Sequence, residues 1–540
     1  MSFGDQPPFT TETTAFPRQL QARSDYVPSA SDVHQIKESL SAIEKEVQRY
    51  DDELFRLYTL VAQRESEQRE LKLNAEKCRS ILAPIRRLPN EMLSEIFAQC
   101  CKQGDEYANC ISDTRTLSAM SISLVCSRWR SLAIPMKSLW AVFPINPTAV
   151  STFTLQCLQM YISRSGDVPL TIQVPPVYGN VTAAALDGAS EFFNVLVDAA
   201  PKWRKMDIGS VYFDQRLSPI KHHLQNLEEL NVDSDCLLAT DHDIFADAPK
   251  LRTLSIGLTP EAASHTFPYP QISKLTLYIQ CFYPNFVDFL SRFPRVRNLE
   301  LEGYLDDVNT LQGHVKTDLT TVQTLYFDTV DIIPLVIRAF TFPQLESITL
   351  VCNDDVDLSR FMSIYRQFLE LLEQPLHGLK VLVLEEIDVE DQEMIAILRL
   401  TPSLTEITIQ CREMIMTEFM PGCKTLKEGF VRSLTFSPPI IQSHNPPVAN
   451  LLPKLTSLDL TLNPSSAMHD ALVDMLTSRW HPPALVSVHG HVSCLDSVTL
   501  RSIVKPKHAT TVSQLRDRAG KEHHFRWLDS KTLSLTRKRK

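Results

Sequence analysis

The sequence predicts a mixed α/β chain: an N-terminal coiled-coil helix, then three short helices, then a long α/β solenoid of strand–helix repeats. Three observations predict it. Apolar residues alternate by threes and fours through residues 31–82, short amphipathic segments fill residues 83–143, and a triplet apolar-x-x-apolar-x-apolar recurs eleven times over residues 150–490. At 540 residues the chain exceeds what one compact core holds, so several domains or an extended array are expected.

Residues 1–30 are rich in Thr, Ser, Pro and Gln and lack apolar periodicity, a composition that predicts disorder. The next segment differs. Val33, Ile36, Leu40, Ile43, Val47, Tyr50, Leu54, Leu57 and Val61 form a heptad seam over four repeats. Arg64 and Gln68 interrupt it, and Leu71, Ala75, Cys78 and Leu82 resume the same register. Ser31 is the expected N-cap. So narrow a seam suits pairing with another helix, and a homodimer through residues 33–61 is expected. The alternative is one amphipathic helix packed on the rest of the chain.

Residues 83–143 read as a small helical unit with more apolar surface than it can bury. Pro89 opens a helix, because its missing N–H would be unpaired there anyway. Glu91 then lies in the first turn, where negative charge suits the helix dipole. Met92, Leu93, Ile96 and Phe97 make one broad apolar face. Leu117, Met120 and Leu124 make a second stripe; Val125, Trp129, Leu132 and Ala133 make a third, which Pro135 stops. Leu139, Trp140 and Phe143 follow as further apolar anchors. Three helices this short form a core near the lower limit of independent stability. The intervening segment 102–115 is long and polar and reads as a surface loop.

Leu88-Pro89-x-Glu91-x-Leu93-x-x-Ile96-Phe97 and Val125-Cys126-x-x-Trp129-Arg130 resemble the F-box, the adaptor-binding module of cullin–RING ubiquitin ligases. The resemblance implies that a Skp-type adaptor, and through it a cullin, covers the spare surface. It implies contacts through Leu88, Pro89, Met92, Leu93, Ile96, Phe97, Leu124, Val125 and Trp129. Trp129 fits an internal core position equally well.

A helix is expected near residues 150–163, ended by Gly166, with a strand at Leu170-x-Ile172-x-Val174. The triplets then begin: Trp203/Met206/Ile208, Leu227/Leu230/Val232, Leu251/Leu254/Ile256, Ile272/Leu275/Leu277, Val296/Leu299/Leu301 and Val322/Leu325/Phe327. They continue with Leu345/Ile348/Leu350, Leu379/Leu382/Leu384, Leu404/Ile407/Ile409, Val431/Leu434/Phe436 and Leu455/Leu458/Leu460. From Trp203 to Leu345, successive units start 21 to 26 residues apart. Seven triplets have a proline two residues upstream, at 201, 249, 270, 294, 343, 402 and 453. Apolar helical segments precede several of these at 192–199, 286–293, 332–340, 361–372 and 394–400. The logic is that a helix packs, proline ends it, and a short strand follows.

This pattern resembles a divergent form of leucine-rich repeats, which stack strand–helix units into a curved solenoid. The Asn that usually follows the strand stands only at Asn353 and Asn463, with Asp235 as a substitute. The backbone ladder of the other repeats must therefore be satisfied differently. An F-box joined to irregular leucine-rich repeats is similar to fungal F-box proteins, particularly those of mushroom-forming fungi.

Composition narrows the function. Gly is scarce at 14 and Pro frequent at 34, which disfavours a Gly-rich nucleotide site. The start of the chain carries no secretory pattern, no apolar run approaches a membrane span, and the 12 Cys show no C-x-x-C pair. A cytoplasmic or nuclear chain with reduced thiols is expected. Residues 501–540 carry 12 Lys and Arg against 3 Asp and Glu, a net +9 within a total of −10. That basic tail, 505–540, reads as disordered, with a nuclear address as the other possibility. The acidic remainder argues against nucleic acid as a partner.

No phosphate loop, dinucleotide fingerprint, zinc-protease motif or nucleophile elbow occurs. His222-His223 and His523-His524 are adjacent and point apart, and His489, His491 and Cys494 lack a fourth ligand. Asp354, Asp355, Asp388, Glu390 and Asp391 read as acids at helix starts rather than as general acid–base pairs. No catalytic residue, cofactor or metal is expected. The expected role is substrate receptor of a Skp–cullin–F-box ubiquitin ligase, with catalysis by proximity supplied by its partners. The alternative is a coiled-coil and leucine-rich-repeat scaffold that degrades nothing. Target contacts are expected at the polar positions within triplets: Glu228, Glu229, Asn231, Arg252, Thr253, Ser255, Arg297, Asn298, Glu300, Glu346, Ser347 and Thr349.

Overall fold

A computed structural model describes residues 29–102, 118–144, 152–174, 190–208, 217–233, 237, 240–279, 285–303, 316–329, 332–351, 378–385, 391–410, 426–436, 450–461, 466–480, 493–501, 513–517, 523–528 and 532–537. The chain divides into two units, Met1–Leu93 and Ser94–Lys540.

The first unit is dominated by α1 (Ala30–Leu82), a 53-residue helix about 80 Å long at 1.5 Å per residue. Its N-cap is Ser29, not Ser31. A capping box needs an acceptor three residues on: Ser29 has Asp32 there, whereas Ser31 has His34. Asp32 N–H donates to Ser29 Oγ at 3.3 Å, and Ser29 N–H donates to Asp32 Oδ2 at 3.0 Å. At the other end Ala83 precedes Pro84, leaves the helical region, and a 3-10 turn at Pro84–Arg87 follows. From Leu40 to Val61 every seam residue is exposed.

Helix α2 (Asn90–Lys102) runs across the unit boundary. In the second unit, α3 (Ser118–Val125) and α4 (Ser127–Ala133) pack together. Residues 103–117, with the expected polar loop and Leu117, lie outside the described residues. Leu139, Trp140 and Phe143 are buried, but in the service of the sheet. Phe143 lies in β1 (Val142–Pro144), the sheet's first strand, so the sheet starts before residue 150. Tyr161 of α5 (Thr152–Ser165) fastens the junction. Its ring meets Trp140 at 5.0 Å and Phe143 at 4.9 Å, and its hydroxyl accepts from Met120 N–H at 3.3 Å. The helical unit is thus stabilised by the sheet rather than standing on a core of its own.

The remaining strands are β2 (Leu170–Val174), β3 (Trp203–Ile208), β4 (Glu229–Val232), β5 (Thr253–Gly257), β6 (Lys274–Ile279), β7 (Asn298–Gly303), β8 (Thr317–Asp318), β9 (Thr324–Phe327) and β10 (Phe340–Thr341). Then come β11 (Ser347–Val351), β12 (Val381–Glu385), β13 (Glu406–Gln410), β14 (Ser457–Thr461), β15 (Ser497–Arg501), β16 (His523–Trp527) and β17 (Leu533–Arg537). Among the described residues, β1 and fourteen of these form one sheet. Apart from β8 and β10, which pair with each other, β1 through β15 lie side by side in chain order and all parallel. Ten of the eleven triplets occupy these strands, with their last two apolar residues buried; most residues between them are polar and half-buried, whereas Asp207 and Thr276 are buried. Pairing keeps equivalent positions level, as in Leu230↔Leu254, Leu254↔Leu275 and Leu275↔Leu299.

Successive strands are also linked backbone to backbone just before they begin. Glu228 N–H donates to Arg204 O, Arg252 to Glu228, Ser273 to Arg252, Arg297 to Ser273 and Gln323 to Arg297. The relay continues through Glu346, Lys380, Thr405 and Thr456 to Asp496, every bond between 2.8 and 2.9 Å. Each position precedes its strand, so the ladder is extended at the strand entrance and draws on no side chain. Asn353, Asn463 and Asp235 lie outside the described residues, as does the segment 361–372.

Helices precede strands as expected. Ser190–Asp198 (α6) stops before Pro201, and Pro260–Ser264 (α7) before Pro270. Phe286–Ser291 (α8) stops before Pro294, Ile333–Ala339 (α9) before Pro343 and Asp391–Leu400 (α10) before Pro402. Two expectations fail. Val431/Leu434/Phe436 is not a strand: it belongs to α11 (Glu428–Ser433) and the turn after it, and β13 pairs directly with β14. Val431 and Leu434 stand three apart, which suits a helix as well as a strand, and no proline precedes them. Asp391 decides the matter by capping α11 from another helix, accepting from Lys427 N–H at 2.8 Å and Phe430 N–H at 2.9 Å. The second failure is the tail. Stretch 505–540, expected to be disordered, contains β16 and β17, an antiparallel pair that joins the sheet beside β15. Leu533 and Leu535 alternate inward and are buried, and this outweighs the tail's charge. Leu495/Val498/Leu500 of β15 is a further triplet beyond the expected end at 490.

Candidate partner-docking face

The motif residues separate into an inner and an outer set. On α2, Leu93 and Phe97 stand one turn apart and are buried, at 0% and 1% exposure. Met92 and Ile96, also one turn apart on the adjacent stripe, are exposed. Leu93 and Phe97 are therefore core residues and not contacts, a correction to the nine-residue expectation. The broad face at 92, 93, 96 and 97 is divided because a helix of this length presents only one stripe inward. Trp129 is half-buried, its ring 4.9 Å from that of Phe97, so it supports the face from behind.

The second part of the motif builds a sharp corner. Cys126 has φ −160° and caps α4, its Sγ accepting from Trp129 N–H at 3.5 Å. Arg130 Nε donates back to Ser123 O at 3.0 Å. This turn ends α3 with Leu124 and Val125 both 60% exposed. The inward side of α3 is instead Ala119, Ile122 and Ser123, so the expected stripe through Met120 and Leu124 is an outer one. Leu88 is half-buried and Pro89 exposed.

The outward rows of the sheet form a second candidate. Glu229, Thr253 and Lys274 are level with one another, as are Asn231, Ser255, Thr276, Glu300 and Tyr326. Glu228, Arg252 and Arg297 lie at strand entrances with exposed side chains. Sequence reading missed Asp207, Tyr278, Glu302, Tyr326 and Asp328, which extend the same rows; counting one and three residues past each triplet's middle position would have found them. Asn231 donates to Asp207 Oδ1 at 3.0 Å, Lys274 pairs with Glu300 at 2.7 Å, and Thr276 Oγ1 donates to Glu300 Oε2 at 2.7 Å. Burial pushes the Glu302 carboxyl up to about 7, with Asp328 and Glu300 adding to the rise. Burial likewise raises the Tyr326 phenol to about 12 and drives the Tyr278 phenol well above its usual range.

Of the groups considered for chemistry, His222 pairs with Asp247, Asp391 is a helix cap, and His489, His491, Asp354, Asp355, Asp388 and Glu390 lie outside the described residues. Among the described residues no helix is long and apolar enough to cross a membrane. Neither a protein-family model nor a curated protein matches this chain.

Proposed function

We propose that this chain is the substrate-recognition subunit of a Skp–cullin–F-box ubiquitin ligase. Its docking corner holds a Skp-type adaptor, and its sheet-and-helix repeats, read as a leucine-rich-repeat solenoid, hold a target protein. The observation that carries the reading is that the motif-bearing helices keep apolar side chains exposed: Leu124 and Val125 at the corner, and Met92 and Ile96 on α2. Support for the repeats comes from parallel strands in chain order and the backbone relay at their entrances. The chain supplies no nucleophile in this reading; it raises the concentration of a target lysine near a partner's thioester, in the cytoplasm or nucleus.

The test is a pull-down of purified Skp adaptor by the full-length protein and by the double variant Leu124→Asp/Val125→Asp. The wild type binds; the variant binds at least about tenfold more weakly, because each buried charge costs well over 1.4 kcal/mol. Its thermal melt stays unchanged, since both positions face water. Leu93→Asp is the wrong probe, because it unfolds α2. Absence of wild-type binding, or undiminished binding by the double variant, leaves the non-degradative scaffold as the better reading.

A further inference from the structure

We propose that α1 pairs with α1 of a second copy of this chain, in parallel and in register. The inference takes up the self-association expected of residues 33–61 and does not rest on adaptor docking. A lone helix draws little stability from backbone propensity and needs its apolar stripe covered. Here the stripe is bare from Leu40 to Val61 and again at Leu71 and Leu82. β-branched Val33, Val47 and Val61 recur at the a positions but are followed at d by Ile36, Tyr50 and Arg64, so the seam residues alone select no strand number.

Charge selects the direction. The seam sets Glu44 and Asp51 at e positions and Glu46 and Glu53 at g. An antiparallel pair that overlaps the apolar stretch places Val33 opposite Arg64 of the second copy. Glu44 then faces Asp51 and Glu46 faces Glu53, each twice, all like charges. A parallel in-register pair keeps only the Glu46–Asp51 repulsion. It gains Asp32 against Lys37 and Glu67 against Lys72, each twice.

The interruption in the seam selects the register. Gln68 stands at an a position, and its carboxamide both donates and accepts, so two copies facing each other satisfy one another. A shift of one heptad sets it against Val61 or Ala75. Arg64 at the neighbouring d position is held by its own Glu67 at 2.7 Å, which offsets its charge. Cys78 then occupies a d position facing Cys78 of the second copy. The docking helix begins at Asn90, eight residues past the end of α1 at Leu82. The dimer therefore carries two docking helices and binds any paired partner with avidity.

The experiment uses full-length protein. Light scattering after size exclusion gives twice the monomer mass. A short bis-maleimide links two chains through Cys78, and Cys78→Ser removes the link. Ile43→Asp halves the mass without moving the thermal melt of the sheet, whereas Asp52→Ala, on the outer side of the helix, stays dimeric. A monomeric, trimeric or tetrameric wild type overturns the pairing. A dimer that lacks the Cys78 link, and in which Leu40→Cys chains link only to Leu57→Cys chains on the Cys78→Ser background, overturns the parallel arrangement. Adaptor binding is scored separately, so failure of either proposal leaves the other standing.

Discussion

Glu302 shows how burial and charge set one residue's behaviour. Its carboxyl is partly buried beside Asp328 and Glu300, which lift it from 4.5 to about 7, and Lys274 offsets only part of that rise. Between those two values the folded chain keeps a proton that the unfolded chain has released. Stability therefore falls as pH rises through that window. Glu302→Gln removes the penalty. Its melting temperature should match wild type at pH 5, where Glu302 is protonated, and exceed it at pH 8. Equal melting temperatures at pH 8 would show that the carboxyl is better solvated than its surroundings indicate. A different residue-scale constraint acts at Gly303, where φ is +105° and a Cβ would lie 2.1 Å from Ile279 O. A glycine is required there because no side chain fits between the two strands.

At the scale of elements, the region between β13 and β14 depends on one buried cation. Arg479, on the helix Ser466–Trp480 (α12), is 1% exposed. Its guanidinium donates to Leu434 O at 2.7 Å, Leu452 O at 3.0 Å and Leu451 O at 2.7 Å. Burial without an acid pulls it down to about 10, so it stays charged at neutral pH. It ties the turn after α11 and the entry to β14 onto α12, closing the gap left where Val431/Leu434/Phe436 makes no strand. Arg479→Met removes a donor from each of three carbonyls, of which Leu452 O keeps Leu455 N–H at 3.3 Å, and should cost roughly 2 kcal/mol or more. The loss should appear as a lower urea midpoint and as early hydrogen exchange in α11. Full protection of α11 in the variant would mean that its packing alone suffices.

At the scale of the whole molecule, the sheet ends are covered in different ways. One end is β1, joined to the helical docking unit through Trp140 and Tyr161. At the other, β17 pairs with β15 and reverses the strand direction, so β15 offers no free edge to another chain. Truncation after residue 520 removes both β16 and β17 and bares β15. The truncated protein should scatter light and aggregate at a temperature several degrees below the full chain. An unchanged onset would assign the hairpin no protective role. This use of a basic segment was concealed in the sequence, because net charge measures solubility whereas Leu533 and Leu535 respond to the apolar face they meet.

Local patterns alone determined much of this protein: the long helix, the strands at ten triplets, and the prolines that end the helices. Each depends on periodicity or backbone chemistry within a few residues, and neither needs a distant partner. Tertiary structure alone decided what faces inward. Leu93 and Met92 are neighbours of similar hydrophobicity, yet one is buried and the other exposed. Val431 and Leu434 had a spacing open to helix or strand, and Asp391, 36 residues before Lys427, caps the helix that holds Val431 and ends just before Leu434. Burial depends on which surfaces the rest of the chain brings near, and that information is not local.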